Sequence, residues 1–139
     1  MASIRKHVTR DVVTLDGGSP IRDAARLMED RKIGSVAVRD EGKVVGLVTE
    51  RDLVVTVLAR DGNASTPIRQ AMRPGMPRVS ADATEAECSA LMRDNTTRHL
   101  LVEDGGRIVG VVSMRDIIQL MLDEKQFLID QLQTYIGGR

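Results

Sequence analysis

The sequence predicts an α/β protein made of two copies of one small unit, in which little sheets pack on helices. The first sign is internal repetition. Leu27-Met28 returns as Leu91-Met92, and Gly46-Leu47-Val48-Thr49-Glu50-Arg51-Asp52-Leu53 returns at the same offset as Gly110-Val111-Val112-Ser113-Met114-Arg115-Asp116-Ile117. Between these anchors Val38, Asp40, Gly42 and Val45 match Val102, Asp104, Gly106 and Val109, and the register holds without a gap from Ile4/Ile68 to Leu53/Ile117. Chance does not keep one offset over so long a stretch, and a repeat constrains architecture before any local pattern is read. The second sign is that stretches with helical spacing alternate with short apolar runs bounded by turn residues, the pattern of mixed helix and strand.

Each copy reads the same way. Ser3 opens a short helix in the first, and Thr66-Pro67 in the second, with a capping residue or a proline at an early helical position. An extended segment follows, Asp11 to Asp16 or Met76 to Ser80. A second helix starts at Ser19-Pro20 or at Asp82-Ala83-Thr84, and Ile21, Ala24, Ala25, Leu27 and Met28 give it a buried face. Ser35-Val36-Ala37-Val38 and His99-Leu100-Leu101-Val102 are short strands. The turns Asp40-Glu41-Gly42-Lys43 and Asp104-Gly105-Gly106-Arg107 lead into a second strand, Val44 to Val48 or Ile108 to Val112, which makes a hairpin with a turn of about four residues. A last helix begins at Thr49 or Ser113. The unit is helix, strand, helix, strand, strand, helix.

Neither half is large enough for a comfortable core of its own, so two halves related by a pseudo-twofold axis are expected to bury apolar faces together. The expected boundaries are residues 1–60 for the first repeat, 61–65 for a polar linker, 66–122 for the second repeat and 123–139 for a helical tail. In the tail Phe127, Leu128, Leu132, Tyr135 and Ile136 have roughly helical spacing. Gly137-Gly138 suits its end. It reads as an amphipathic helix that packs on its own module or on a partner chain, too short by itself for a coiled coil.

Composition narrows the function. The 139 residues carry 20 basic and 20 acidic side chains, so no general pull toward nucleic acid or anionic membrane follows. Phe127 and Tyr135 are the only aromatic residues, which argues against reading bases by stacking. Cys88 is the single cysteine, so no intrachain disulfide forms, no zinc cluster is expected, and a reducing cytoplasm is the natural compartment. Met1 to Arg10 lack the apolar core of a signal peptide, and no apolar run is long enough to span a bilayer. Cys88 matches Ala24 of the first repeat and reads as a small core residue. His7 has no partner at metal-binding spacing, and the seven methionines read as core filler.

The residues with most to offer are the twin motifs Thr49-Glu50-Arg51-Asp52 and Ser113-Met114-Arg115-Asp116. A hydroxyl followed three residues later by an acid is the pattern of a capping box, which satisfies free amides at a helix start. The same residues also suit a ligand, since a helix N-terminus attracts phosphate and a carboxylate one turn in accepts hydrogen bonds from ribose hydroxyls. Both readings can hold together. Arg51 and Arg115 are either solvated arginines or phosphate contacts.

The order of elements, the Gly-x-x-Thr/Ser-x-x-Asp motif closing each hairpin and the Leu-Met on the preceding helix resemble a tandem pair of CBS domains (cystathionine beta-synthase domains) over roughly residues 4 to 120. The tail resembles those of stand-alone bacterial CBS-pair proteins. The resemblance implies a regulatory module with clefts between its repeats that take AMP, first of all, or ADP, ATP, NAD or S-adenosylmethionine. In that reading Asp52 and Asp116 hold ribose, and Thr49 and Ser113 lie near ribose or phosphate. Arg98-His99 stand where basic residues of the family touch phosphate, and the first repeat has Gly34-Ser35 there, which implies unequal pockets. His99 would add a pH dependence. Val12-Val13 and Met76-Pro77, with Ile33 and Thr97, are the matching adenine-slot positions, Val13, Ile33 and Pro77 foremost.

The resemblance also implies a homodimer and a regulated protein that reads the bound state; the final helices carry more apolar surface than their own sheets need, which makes Leu53, Val54, Val57, Ile117, Ile118 and Met121 the candidate interface residues. An assembly module without a nucleotide is the alternative. An enzyme is not expected: no Walker loop, dinucleotide fingerprint, nucleophile elbow or metal set can be assembled, so no residue is assigned a catalytic role.

Overall fold

A computed structural model describes residues 2–137, and the chain divides into two compact units. One runs from Arg10 to Met76. The other joins the segment before Arg10 to the chain from Pro77 onward.

In the unit Arg10–Met76, strand β1 (Thr14–Asp16) runs parallel to β2 (Ser35–Asp40), and β2 pairs antiparallel with β3 (Lys43–Thr49). Helix α1 (Ile21–Arg31) connects the parallel pair, as such a pair requires. Lys32 ends it in the left-handed conformation, its amide bonded to the Met28 carbonyl. Helix α2 (Glu50–Val54) leaves β3 and continues through a π-helical turn, Val55–Ala59. Helix α3 (Ile68–Ala71) closes the unit. Ile21, Ala24, Met28, Val36, Val38, Val48 and Ile68 form its core.

The other unit repeats this plan with β4 (Arg78–Ser80), α4 (Glu85–Asp94), β5 (His99–Asp104), β6 (Arg107–Ser113) and α5 (Met114–Gly137), and a 3-10 turn at Ile4–His7. Its sheet has the order β4-β5-β6. Ile4, Ala81, Cys88, Met92, Leu100, Val102, Val112, Ile117 and Leu120 make the core. Burial pushes the Cys88 thiol up to about 11, in keeping with a core role.

The element order of each repeat is as expected, with shorter first strands and tighter hairpins. Asp40 and Lys43 pair across the ladder, so the turn itself is only Glu41-Gly42, both at positive φ (51° and 77°). Gly105 and Gly106 do the same at 60° and 78°. Two successive positive φ values define the tight hairpin turn that matches strand twist.

The compact units are not the sequence repeats. The opening segment of each repeat is built into the unit that holds the rest of the other. Ile4 donates its amide to the Ala83 carbonyl at 2.9 Å, and Ile68 donates to Ser19 at 2.8 Å, the matching atoms of the two repeats. Arg5 pairs with Asp104 (2.8 Å) and Asp82 (2.7 Å), while its twin Arg69 pairs with Asp40 at 2.7 Å. The Arg69 guanidinium holds the Asp40 carboxyl below its ordinary value. The region Asp61–Ser65 is not a free linker: Ser65 and Thr66 donate their amides to Asn63, and Ala64 accepts from the Arg22 amide.

The motif glycines serve this exchange. A Cβ on Gly46 would stand 2.5 Å from the Met72 sulfur, and one on Gly110 would strike the Thr9 carbonyl oxygen and lie 2.7 Å from Val8. Strand β6 therefore lies directly under the chain entering from Val8, and Thr9 exchanges two backbone hydrogen bonds with Val111 (2.9 and 3.0 Å).

The expected C-terminal helix is present and is continuous with the last helix of the repeat: α5 runs unbroken from Met114 to Gly137, because nothing in the sequence between them caps or breaks it. It touches its own unit only at its start, where Asp123 Oδ2 meets His7 Nε2 at 3.1 Å. Leu120 is its last buried residue, and nearly every later side chain is exposed. Gly138 lies outside the described residues. Of the proposed interface residues, Ile117 is core, and Leu53 and Val57 pack against the core; Val54, Ile118 and Met121 face outward.

Candidate functional site

In each unit the first two strands are parallel and the third is antiparallel. The starts of the first two and the end of the third therefore lie at one end of the sheet, where the last helix begins. In the unit Arg10–Met76 this end gathers Val13, Ile33-Gly34 and Thr49–Asp52. Hydrogen bonds tie them: Ala37 donates to the Val13 carbonyl (2.8 Å), Glu50 donates to the Gly34 carbonyl (3.2 Å), and Ser35 faces Thr49 across the ladder. In the other unit Leu101 donates to Pro77 (3.2 Å), Met114 donates to Arg98 (2.8 Å), and His99 faces Ser113.

Both acids close capping boxes. The Thr49 amide donates to Asp52 Oδ2 at 2.8 Å, and the Asp52 amide donates to Thr49 Oγ1 at 3.3 Å. The Ser113 amide donates to Asp116 Oδ2 at 2.8 Å, and the Asp116 amide returns to Ser113 Oγ at 3.2 Å. Capping is thus a real role of these residues, even though Asp is shorter than the usual Glu or Gln. It uses one carboxylate oxygen in each. Oδ1 of Asp52 and Oδ1 of Asp116 accept no hydrogen bond among the described residues, and both side chains are half-buried. Each is an anionic acceptor fixed by its own cap and left open on one side.

The copies differ in the hydroxyl. Ser113 Oγ donates to Asp116 Oδ2 at 2.9 Å, so its proton is engaged, whereas Thr49 Oγ1 only accepts. Thr49 keeps a donor for a ligand. This asymmetry adds to the difference between Gly34-Ser35 and Arg98-His99 and was invisible in sequence, where Ser and Thr look interchangeable.

Arg51, Arg98 and Arg115 are exposed and form no ion pair among the described residues, unlike Arg5, Arg39, Arg69 and Arg78, which each meet a carboxylate. His99 is half-buried, with its backbone amide and carbonyl both bonded to the Thr97 hydroxyl. Thr97 is thereby occupied with structure. Val13 and Ile33 are half-buried against the core, and Pro77 is half-buried. Apart from Met76, which ends the unit Arg10–Met76 and is buried, the proposed residues of each repeat lie at the same sheet end of one unit. No group of three His, Cys, Asp or Glu suited to a metal occurs among the described residues, and no described helix is long and apolar enough to cross a membrane.

A doubled β-β-β sheet with a hydroxyl-and-acid motif at each final helix defines a tandem-repeat module. The chain belongs to the CBS-domain family: the family model matches residues 4–59 and again 68–123. It is 26% identical over 117 residues to the CBS domain-containing protein YhcV of Bacillus subtilis, covering 84% of each chain. It resembles the structure of a signal-transduction candidate with CBS domains from Burkholderia ambifaria, with 30% identity and TM-score 0.80 over 86% of this chain and 91% of that one. A hexameric CBS-CP12 protein from bloom-forming cyanobacteria matches with 26% identity and TM-score 0.73, over 85% and 70% of the two chains.

Proposed function

We propose that this chain is a regulatory module that binds an adenosine-containing nucleotide, AMP foremost and ADP, ATP, NAD or S-adenosylmethionine by the same chemistry. The observation that carries the reading is the twin acid: each Asp is held by its cap through Oδ2 and keeps a second oxygen that accepts no hydrogen bond among the described residues. Such an oxygen accepts hydrogen bonds from ribose hydroxyls. Exposed arginines beside it, Arg51 in one copy and Arg98 and Arg115 in the other, suit phosphate. Half-buried Val13 with Ile33, and Pro77 in the other copy, supply apolar surface for the base. The chemistry asked of the chain is recognition, with no bond made or broken.

Ligand binding would change the strain or packing of each unit, and a partner protein would sense it. Exposed apolar side chains at Val54, Ile118 and Met121 support self-association, which also favours the second reading, an assembly module without a nucleotide. Melting with and without ligand separates the two. A nucleotide at about 100 times its dissociation constant adds roughly 2.7 kcal/mol of stability. Adenosine without phosphate should add less. A melting temperature unmoved by millimolar AMP, ATP, NAD and S-adenosylmethionine leaves only the assembly reading.

A further inference from the structure

We propose that His7 and Asp123 form a pH-sensitive latch, which fastens the opening segment of the chain to α5 while the His7 ring is charged and loosens when the ring is neutral. The latch belongs to one unit alone and is independent of any nucleotide. His7 Nε2 stands 3.1 Å from Asp123 Oδ2, with the ring 20% exposed and the carboxylate 55%. Gln119, one turn earlier on α5, donates to Asp123 Oδ1 at 2.8 Å and steadies the carboxylate. On the other side, the Ile4 amide bonded to Ala83 and the bridge between Ser3 and Thr84 set the same turn against the start of α4. The turn that carries His7 is thus held between α4 and α5.

The second observation concerns what is left unsatisfied. Among the described residues, two buried side-chain polar atoms have no hydrogen-bond partner, His7 Nδ1 and Glu85 Oε2. Glu85 is the first residue of α4, next to Thr84. In the repeat register His7 matches Ala71 and Glu85 matches Ile21, and those two lie in the apolar core of the unit Arg10–Met76, 7% and 3% exposed. The fold therefore asks only for apolar side chains at these places, and one unit carries an imidazole and a carboxylate instead. Leaving a buried polar atom unpaired is costly, so packing alone does not account for the exchange.

The charged ring satisfies more of these groups than the neutral one. A neutral ring that donates Nε2–H to Asp123 keeps Nδ1 as a bare acceptor, and the other unpartnered atom, Glu85 Oε2, is an acceptor too. A charged ring has N–H on both nitrogens. It keeps the Asp123 bond, strengthened by charge, and presents at Nδ1 a donor matched in kind to Glu85. The free charges around it are acidic: Asp123 and half-buried Glu124 on α5, and Glu85 on α4. On its own turn Arg5 is taken up by Asp82 and Asp104, and Lys6 is exposed. The hydrogen bond from His7, with that from Gln119, holds the Asp123 carboxyl below its ordinary value. A carboxyl lowered in this way stabilises the fold above its unfolded value near 3.9 and ceases to as pH falls through the folded one, which sets the acid edge of the latch. The other edge comes from imidazole chemistry, whose charge changes between about pH 5 and 8.

Amide exchange at Ile4 and Thr9 reads the latch, since their N–H groups bond to Ala83 and Val111 on either side of His7. Protection, corrected for the intrinsic rate, should fall about twofold to fivefold from about pH 5.5 to about pH 8 in the full chain, the strength of a half-exposed ion pair. Asp123→Asn and His7→Gln should show the lower protection at both pH values. His7→Ala/Glu85→Ile, which installs the residues of the other unit, should fold and show protection independent of pH. Constant protection across this range in the full chain would overturn the proposal. So would the same fall in His7→Gln or in the double variant, both of which retain His99.

Discussion

Replacing Gly110 by alanine should damage the fold far more than the same change at Gly46, although the two glycines hold identical places in the sequence repeat. At Gly46 the new methyl meets the far end of a flexible methionine, with the Met72 sulfur at 2.5 Å and its Cγ at 3.1 Å. A thioether chain swings aside cheaply, so the cost is that of mild overpacking, about 1 kcal/mol. At Gly110 the methyl meets backbone, the Thr9 carbonyl oxygen, with Val8 Cγ1 at 2.7 Å. Relief requires moving the chain at Val8-Thr9. That sacrifices the two Thr9–Val111 hydrogen bonds and loosens Val8, which packs on the core. Two hydrogen bonds at about 1 kcal/mol each, with some lost packing, give about 2–4 kcal/mol. Urea denaturation of the two variants measures the difference, and amide exchange at Thr9 and Val111 localises it. Equal destabilisation, or exchange at those amides unaltered in Gly110→Ala, would refute the close crossing of the opening segment over β6.

Glu41→Gly should stabilise the chain by about 0.5–1 kcal/mol, because a residue with Cβ at φ 51° costs roughly 1–2 kcal/mol and glycine gives part of this back as unfolded-state entropy. The second repeat already has Gly105 there, and a lowered melting temperature would contradict the turn geometry. Asp40, whose folded pKa is depressed by Arg69, contributes stability that is complete above its unfolded value near 3.9 and is lost as pH falls through the lower folded value. The melting difference between wild type and Arg69→Ala should therefore hold steady above about pH 5 and close in stronger acid. A difference independent of pH would mean that Arg69 acts by packing alone.

Much of this architecture was legible because the repeat states each element twice. Leu27-Met28 and Leu91-Met92 mark one helix face in two contexts, and Asp-Glu-Gly-Lys and Asp-Gly-Gly-Arg mark one turn. The exchange of opening segments was not legible. Ile4 and Ile68 open the repeat register and both prove fully buried, yet a repeat pairs them with each other and is silent on which sheet each one covers. A signal was present in Arg5/Asp104 and Arg69/Asp40, complementary pairs retained in both copies, but local reading takes such charges as solvated. Helix α5 was divided at residue 122 because the repeat ends there, whereas helix propagation needs only the absence of a breaker. At the candidate site, the capping box and the ligand acceptor share one carboxylate. Sequence offers them as alternatives, and only the separate hydrogen bonding of Oδ1 and Oδ2 lets one side chain serve both.

The most direct test is calorimetric titration of AMP into wild type, Asp52→Asn and Asp116→Asn, each with a ligand-free melt. Asparagine keeps an oxygen for the cap and replaces the unbonded acceptor with an amide donor, so the fold should lose little. A charged acceptor is worth roughly 1.5–3 kcal/mol to a ribose hydroxyl, so affinity at the altered site should fall about tenfold to a hundredfold. The two variants should differ, since Thr49 keeps a free hydroxyl proton where Ser113 does not, and Arg98-His99 stand in only one copy. Affinity unchanged in both variants, with lowered melting temperatures, would make the twin acids helix caps and nothing more.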